Sequence, residues 1–361
     1  LRHARDPRAH RAGARAAVSR RILVRLSYEG TAYAGWQAQD NALAVQPVLE
    51  RAIFGITGER LRVTGASRTD AGVHALSQAA HFDTASRVPA EKFALALNTR
   101  LPQDVRVTAS REVPEGFHAR FSAAGKVYAY VFSNAPASSA LYGRFSAHCP
   151  VRLDEAAMDR AARALVGRHD FTAFQAAGGT AKTFVREMKA ARVARRGNLV
   201  TFLIYGTGFL YNMVRIIAGT LLKVGTGEWE PEHVKEVLEA RNRKEAGQTA
   251  PAKGLTLVGI EYEREIPKEI VGRNEHWDAV LDQSKLESDG ISCVRIRFSE
   301  PEELPRLIRR MVHQAYRNGA KEVFVTIPDG YEVSETESYG YYRLRRLDDG
   351  SYGTEYTGRT L

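Results

Sequence analysis

Residues 67–74 read Ser67-Arg68-Thr69-Asp70-Ala71-Gly72-Val73-His74. Asp followed by a small residue and Gly ordinarily makes a tight turn, because the Asp side chain bonds to nearby backbone and Gly accepts a positive φ. The stretch that follows alternates, with Leu76, Gln78, Ala80 and Phe82 on one side, which is a strand pattern. Leu61 to Thr64, just before it, reads as a short strand. The segment is therefore a loop between two strands, with a carboxylate near its tip and the guanidinium of Arg68 close by in sequence. A nearby cation holds a carboxylate ionised, and an ionised carboxylate serves as nucleophile or base. On these eight residues alone, a conformational turn and a chemical site are both open readings.

Further out, the same mixture of patterns continues. Ile22 to Tyr28 alternates as a half-buried strand, and the Gly-rich stretch from Glu29 to Gly35 follows it. Val45 to Phe54 has helical spacing, with Pro47 tolerated in the first turn. Glu91 to Leu97 reads as a short helix and Val105 to Ala109 as a strand. A second round begins at Lys126. Val127 to Phe132 is a strand, and Leu153 to Val166 is a helix with Asp154 and Glu155 in its first turn and Gly167 after its end. Phe184 to Val193 and Leu199 to Tyr205 form a hairpin around Arg195-Arg196-Gly197-Asn198. Phe209 to Val224 is a strongly apolar helix stopped by Gly225 and Gly227. Val234 to Ala240 is a helix and Leu255 to Tyr262 a strand. Two successive mixtures of strands and helices define an α+β pair of domains. After Glu263 the composition turns acidic, and Ile291 to Phe298, Leu304 to Tyr316 and Glu322 to Ile327 read as strand, helix and strand of a small α/β module. The expected divisions are a basic, disordered tail at 1–21, halves at 22–115 and 116–264, and an extension at 265–361.

The chain has 361 residues, a hydrophobic content of 44% and a charged content of 26%, the composition of an ordinary globular protein. That excludes collagen-like, coiled-coil and wholly disordered classes. Its two cysteines are too few for a disulfide framework or a four-thiolate zinc site, and a reducing, cytoplasmic compartment is the default. No apolar run approaches the roughly 18 residues of a membrane span. The formal net charge is +10 and is unevenly placed, with +6 in residues 1–21, +8 in residues 22–264 and −4 beyond. A basic globular body points to a polyanion partner, most often nucleic acid, against the plainer reading of a solvated surface. The Arg-rich start also has the acid-poor character of a transit peptide, but it has one serine, Ser19, and no amphipathic face.

Other segments bear on chemistry. Phe117-His118-Ala119-Arg120-Phe121 sets two cation-capable side chains between aromatics, a mixture that suits single-stranded RNA, although in isolation a loop with two core-anchoring Phe residues is the more usual reading. Tyr128 and Tyr130 share one strand face, where a tyrosine is usually core and can also stack on a base. Arg215 interrupts the apolar helix, and its helical neighbours Tyr211, Asn212, Ala218 and Gly219 leave room to bury it beside an anion. Gly206-Thr207-Gly208 imitates a dinucleotide fingerprint but has Tyr211 where the third glycine belongs. No P-loop, no metal-site spacing of the ten histidines and no nucleophile elbow occurs.

Taken in order along the chain, these segments resemble the tRNA pseudouridine synthase A family over roughly residues 22–264. The resemblance rests on Tyr28-Glu29-Gly30 with Gly35-Trp36-Gln37, Arg68-Thr69-Asp70-Ala71-Gly72-Val73-His74, Phe117-His118-Ala119-Arg120-Phe121 and Tyr128-Ala129-Tyr130. His169-Asp170-Phe171-Thr172-Ala173-Phe174, Phe209-Leu210 with Met213-Val214-Arg215, and Gly254-Leu255 with Leu257-Val258 complete it. It implies two similar α+β halves sharing a mostly antiparallel sheet, and isomerisation of uridine in the anticodon arm of tRNA, around positions 38 to 40. It further implies no cofactor, no metal, no membrane and a homodimer. By the same resemblance Asp70 is the nucleophile, Arg68 helps position the target nucleotide or intrudes at the flipped site, Tyr128 packs on the uracil and assists proton transfer, Arg215 pairs with Asp70, and His118 and Arg120 contact RNA.

Two features depart from the family. Ser67 stands where a glycine is usual, which strains the backbone if that position needs a positive φ. The extension from about residue 265 lies outside the resemblance. Its helix-and-strand pattern is faintly similar to half an acetyltransferase domain, but no acetyl-CoA phosphate loop is present and no such activity is expected. Two competing classes remain: an RNA-binding protein of the same fold without activity, and a nucleotide-dependent enzyme using Gly206 and Gly208.

Overall fold

The computed structural model describes residues 19–262 and five strands beyond them, between residues 291 and 356. The chain divides into two compact units, Leu1–Val271 and Gly272–Leu361.

In the first unit the strands are β1 (Arg20–Tyr28), β2 (Thr64–Gly65), β3 (His74–Thr84), β4 (Val105–Val113), β5 (Ala123–Ser133), β6 (Ala147–His148), β7 (Gly167–Asp170), β8 (Val185–Arg196), β9 (Leu199–Gly206) and β10 (Leu255–Tyr262). The helices are α1 (Val45–Thr57), α2 (Phe93–Asn98), α3 (Glu155–Arg163), α4 (Met213–Gly225) and α5 (His233–Ala240). The strands form one sheet in the order β4-β1-β3-β10-β5-β9-β8-β7, with β2 beside β3 and β6 beside β5. Pairing is antiparallel except for β3 with β10 and β5 with β6. The architecture is thus α+β with a large, mostly antiparallel sheet. The chain-early strands β4-β1-β3 meet the chain-late strands β10-β5-β9-β8-β7 at the short parallel joint His74↔Thr256 and Ala75↔Leu257.

Local patterns explain the elements around that joint. In α1 the buried Val45, Leu49, Ala52 and Ile53 recur at helical spacing, and Gly58 ends the helix at φ 71°. In α3 the Asp154 side chain accepts a hydrogen bond from Ala157 N at 2.9 Å, a standard N-cap. Tyr130, Phe132 and Phe202 are fully buried on β5 and β9. Burying a side chain of this size contributes about 1.5–3 kcal/mol.

Several expectations change. Arg20 and Arg21 belong to β1 rather than to a tail, and Arg21 Nε bonds Asp83 Oδ1 at 2.7 Å. The strand expected at 61–64 shrinks to β2. The helix expected to 166 ends at Arg163, and Gly167, at φ 109°, opens β7, too short for periodicity to reveal. The helix expected from Phe209 begins at Met213, because Asn212 takes a left-handed φ of 58°. Leu76, placed on one side of β3 with Gln78, Ala80 and Phe82, is 52% exposed while those three are buried.

In the second unit β11 (Ile291–Arg295) runs parallel to β12 (Glu322–Thr326). With β13 (Ser338–Tyr339), β14 (Tyr342–Arg346) and β15 (Tyr352–Tyr356) they form a sheet in the order β11-β12-β15-β14-β13. The helix expected at 304–316 lies outside the described residues, as does most of the tail. Among the described residues no helix is long and apolar enough to cross a membrane.

Candidate active site

The Asp70 loop leads directly into the joint between the two sets of strands, and backbone bonds shape it first. Val73 N donates to Asp70 O at 3.1 Å and closes a four-residue turn. Gly72, third in that turn, has φ 77°, which glycine adopts without steric cost. Gly72 N donates to Tyr33 O and Trp36 N to Thr69 O, both at 3.1 Å, so the loop is stitched to residues 33–36. Gly35 lies against it at φ 91°, where a Cβ would stand 2.4 Å from Thr69 O. Gly35→Ala is therefore expected to destabilise the unit by about 2 kcal/mol or more. Thermal unfolding of the variant measures this, and an unchanged midpoint would refute the tight packing. His74 Nδ1 accepts from Gly30 N, and Nε2 lies 2.9 Å from Arg144 O, so Nε2 carries the hydrogen. Burial lowers the His74 pKa, and the ring is neutral at physiological pH.

Asp70 meets Arg215 at the start of α4. Arg215 Nη1 donates to Asp70 Oδ2 at 3.2 Å and to Asn212 Oδ1 at 2.8 Å, and its Nε donates to Ala250 O at 2.8 Å. The side chains of Arg215 and Asp70 are 17% and 23% exposed, so the pair is reachable from solvent but partly desolvated. Burial pushes the Asp70 carboxyl above its ordinary value, and the charge and hydrogen bond of Arg215 pull it part of the way back. Arg215 pairs with Asp70 as the resemblance implies, whereas Arg68, its neighbour in sequence, is exposed. Desolvation outweighs the Arg215 cation, so the carboxyl is not held low.

Tyr128 is buried beside this loop. Its hydroxyl lies 2.8 Å from Ser67 Oγ, and its ring stands edge-on to Phe209 with centroids 5.0 Å apart. Burial raises the phenol pKa, and the charge of Asp70 adds to the effect, so Tyr128 stays protonated. Ser67 is unstrained: among the described residues only Asn212 and Arg241 combine a side chain with positive φ. The serine in place of a glycine thus supplies a hydrogen bond to Tyr128 at no backbone cost. Tyr130 points its hydroxyl to Pro251 O at 2.8 Å and is fully buried, which makes it core.

The segment from Phe117 to Phe121 folds around His81. Ala119 N donates to His81 Nδ1 at 3.1 Å, and the His81 and His118 rings are 4.9 Å apart. Phe117 is buried, but Phe121 is 76% exposed, so only one of the two aromatics anchors the loop. The Phe121 ring lies 4.3 Å from His118, with the exposed Arg120 guanidinium 5.6 Å from its centre. No contact links His118 or Arg120 to Asp70 among the described residues.

Three contributors escaped the sequence reading. Asn212 orients Arg215, and its signal was an asparagine, the residue most tolerant of left-handed φ after glycine, just before a long apolar run. Gln78 clamps Ser67 through both backbone groups, at 3.2 and 2.6 Å, and its signal was an amide on the apolar side of a strand. Tyr28 bonds Thr69 Oγ1 at 2.8 Å. The dinucleotide reading fails physically, since β9 ends at Gly206 and α4 starts only at Met213, so Gly206 and Gly208 do not lead into a helix N-terminus. Among the described residues no cluster of three or more His, Cys, Asp or Glu could hold a metal ion.

The sequence profile of a family described as tRNA pseudouridine synthase matches residues 26–122 and 161–263. The first segment carries the Asp70 loop and the second carries Arg215, so the matched regions contribute one partner each to the ion pair at the joint. The family match makes the chain a pseudouridine synthase, a class of isomerases. Curated relatives named tRNA pseudouridine synthase A come from Acetivibrio thermocellus, 48% identical over 243 residues, and Ruminiclostridium cellulolyticum, 47% over 244. A third, tRNA pseudouridine synthase A 2 of Clostridium perfringens, is 43% identical over 243 residues. Each alignment covers 67% of this chain and 100% of the relative. The chain belongs to the tRNA pseudouridine synthase A family, with an extension those relatives lack.

Proposed function

We propose that this chain isomerises uridine to pseudouridine in the anticodon arm of tRNA, around positions 38 to 40, with Asp70 as nucleophile. Family membership supports the tRNA isomerase, and the observation that carries the residue assignment is the Asp70–Arg215 pair in a solvent-reachable loop at the joint. The reaction breaks the N1–C1′ bond of uridine, turns the base and forms a C5–C1′ bond. The C5 proton leaves and N1 ends protonated, so no electrons are gained or lost. A carboxylate anion can hold the nucleotide covalently between the two bonds. Arg215 keeps Asp70 oriented and favours its ionised form. Tyr128, protonated and fixed by Ser67, lies beside the carboxylate as a wall for the uracil ring and a hydroxyl for proton movement. The target base must first leave its stack, which costs a few kcal/mol and is offset by binding elsewhere on the RNA. The exposed Arg68 occupies the vacated position, and Arg120, His118 and the exposed Phe121 ring contact the RNA by charge and stacking. Two copies assemble as a homodimer in the cytoplasm. Reverse-transcription mapping of pseudouridine in tRNA transcripts tests the site: modification is expected at uridines around 38 to 40 and nowhere else. Modification confined to another arm would overturn the assignment.

A further inference from the structure

A second cationic site lies along the sheet from Asp70, at the ends of β7, β8 and β9. Arg168, Thr183, Val185, Arg186, Glu187 and Thr207 line an open cavity of about 400 Å³. Arg186 is half-buried, and its Nη1 donates to Thr183 Oγ1 at 3.3 Å and to Val185 O at 2.7 Å, both neutral acceptors. Among the described residues neither Arg186 nor Arg168 has a carboxylate within ion-pair distance, whereas Arg192 and Arg195 on the same strand are paired with Asp159 and Glu155. A guanidinium that is partly desolvated without an anion is a standing cost, and burial lowers the Arg186 pKa accordingly.

The position of Arg186 ties it to the catalytic loop. Lys126 pairs with Gly206 and Gly206 with Met188, so Arg186, two residues before Met188, shares a sheet face with Lys126 and Tyr128, whereas Arg168 and Glu187, opposite one another across β7 and β8, take the other face. Lys126 Nζ donates to Ala66 O at 2.9 Å, one residue before Ser67. Burial and the positive charges of Arg120 and Arg186 push the Lys126 pKa down to about 8. Gly208 lies against the Arg186 side chain, and Phe209, next along, touches Tyr128. Arg120, Lys126 and Arg186 therefore make a positive ledge past Tyr128, and the cavity is at its far end.

We propose that Arg186, with the Thr183 and Thr207 hydroxyls, forms a phosphate pocket that seats one backbone phosphodiester of the tRNA strand passing the Asp70 loop. Arginine suits this role because its fork of N–H donors matches phosphate oxygens. Glu187, the carboxylate in the lining, opposes the anion and keeps the grip on any single phosphate weak. The inference rests on the tRNA reading of the Asp70 site.

The test is equilibrium binding of unmodified tRNA to the full chain carrying Asp70→Asn, over a range of salt concentrations. Adding Arg186→Gln is expected to weaken binding about tenfold at physiological salt and to lower the slope of log K against log salt by roughly 0.7–0.9, as loss of one phosphate contact requires. Arg168→Gln, on the other face across from Glu187, is expected to have a smaller effect. Thr207→Val weakens binding without changing the slope, and Glu187→Gln strengthens it. Arg51→Gln, an exposed arginine on α1, is the comparison. Equal effects of Arg186→Gln and Arg51→Gln, or an unchanged slope in a variant with an unchanged thermal midpoint, overturn the pocket. If Arg186→Gln fails to fold, Arg186→Lys, which keeps the charge and loses the fork of donors, and the exposed Thr207 variant decide it. Absence of tRNA binding in the Asp70→Asn parent overturns the pocket together with the tRNA reading, and loss confined to the pocket variants leaves that reading intact.

Discussion

Replacing Asp70 by Asn is expected to lower pseudouridine formation by on the order of 10⁴-fold while tRNA affinity changes by less than about tenfold. The amide is nearly isosteric and keeps a hydrogen-bond acceptor for Arg215, so the loop geometry survives. What is lost is the anion, and a neutral amide is no nucleophile. Stability separates this from damage to the fold. The folded-state pKa of Asp70 is raised by burial, with Arg215 offsetting part of it. Below the ordinary carboxylate range both folded and unfolded states are protonated. As pH rises through the raised native value, the folded state is the one reluctant to release its proton, and stability is lost. At neutral pH the charge is thus a net cost, and Asp70→Asn is expected to melt no lower than wild type. Single-turnover assays with a thermal melt check both points. Retained turnover would remove Asp70 from the chemistry.

Arg215→Gln has the next largest expected effect, and pH reveals it. Catalysis requires ionised Asp70, so the acid limb of the wild-type profile is expected above the ordinary aspartate range. Without the guanidinium the carboxyl keeps its desolvation and loses its counter-charge, and the limb moves to higher pH. Activity below neutrality falls by about tenfold or more relative to wild type, with partial recovery as pH rises. Because both side chains remain partly exposed, the stability loss is modest, about 1–2 kcal/mol. Arg215→Lys keeps a charge but cannot hold Asp70, Asn212 Oδ1 and Ala250 O in one plane, so its acid limb stays near wild type while its turnover drops. A purely structural Arg215 would give a uniform loss at every pH, and measured profiles of the two variants distinguish these cases.

Much of the fold was legible because it is locally encoded. β1, α1 and the β8–β9 hairpin with its Gly197 turn all follow from periodicity and turn signals within about a dozen residues. The illegible parts depend on distant partners. The parallel joint of β3 with β10 brings together residues about 180 positions apart in sequence, and that pairing fixes where Asp70 lies. Leu76 stands just past the joint, where its alternation no longer predicts burial. At the site, Asp70, Tyr128 and Arg215 stood out as a carboxylate in an unusual loop, a tyrosine on a strand and a charge in an apolar helix. Which cation faces Asp70 came only from the family resemblance, since Arg68 is near in sequence and Arg215 near in space. Asn212 and Gln78 escaped notice because an amide becomes informative only once its hydrogen-bond partners are known.

The most direct measurement is tritium release from tRNA transcripts labelled at C5 of uridine, comparing wild type with the Asp70→Asn chain on the same RNA. Release by wild type is expected and disappears when the uridines around positions 38 to 40 are replaced by cytidine, and none above background is expected from Asp70→Asn. Equal release by both chains, or release that ignores those uridines, would contradict this reading.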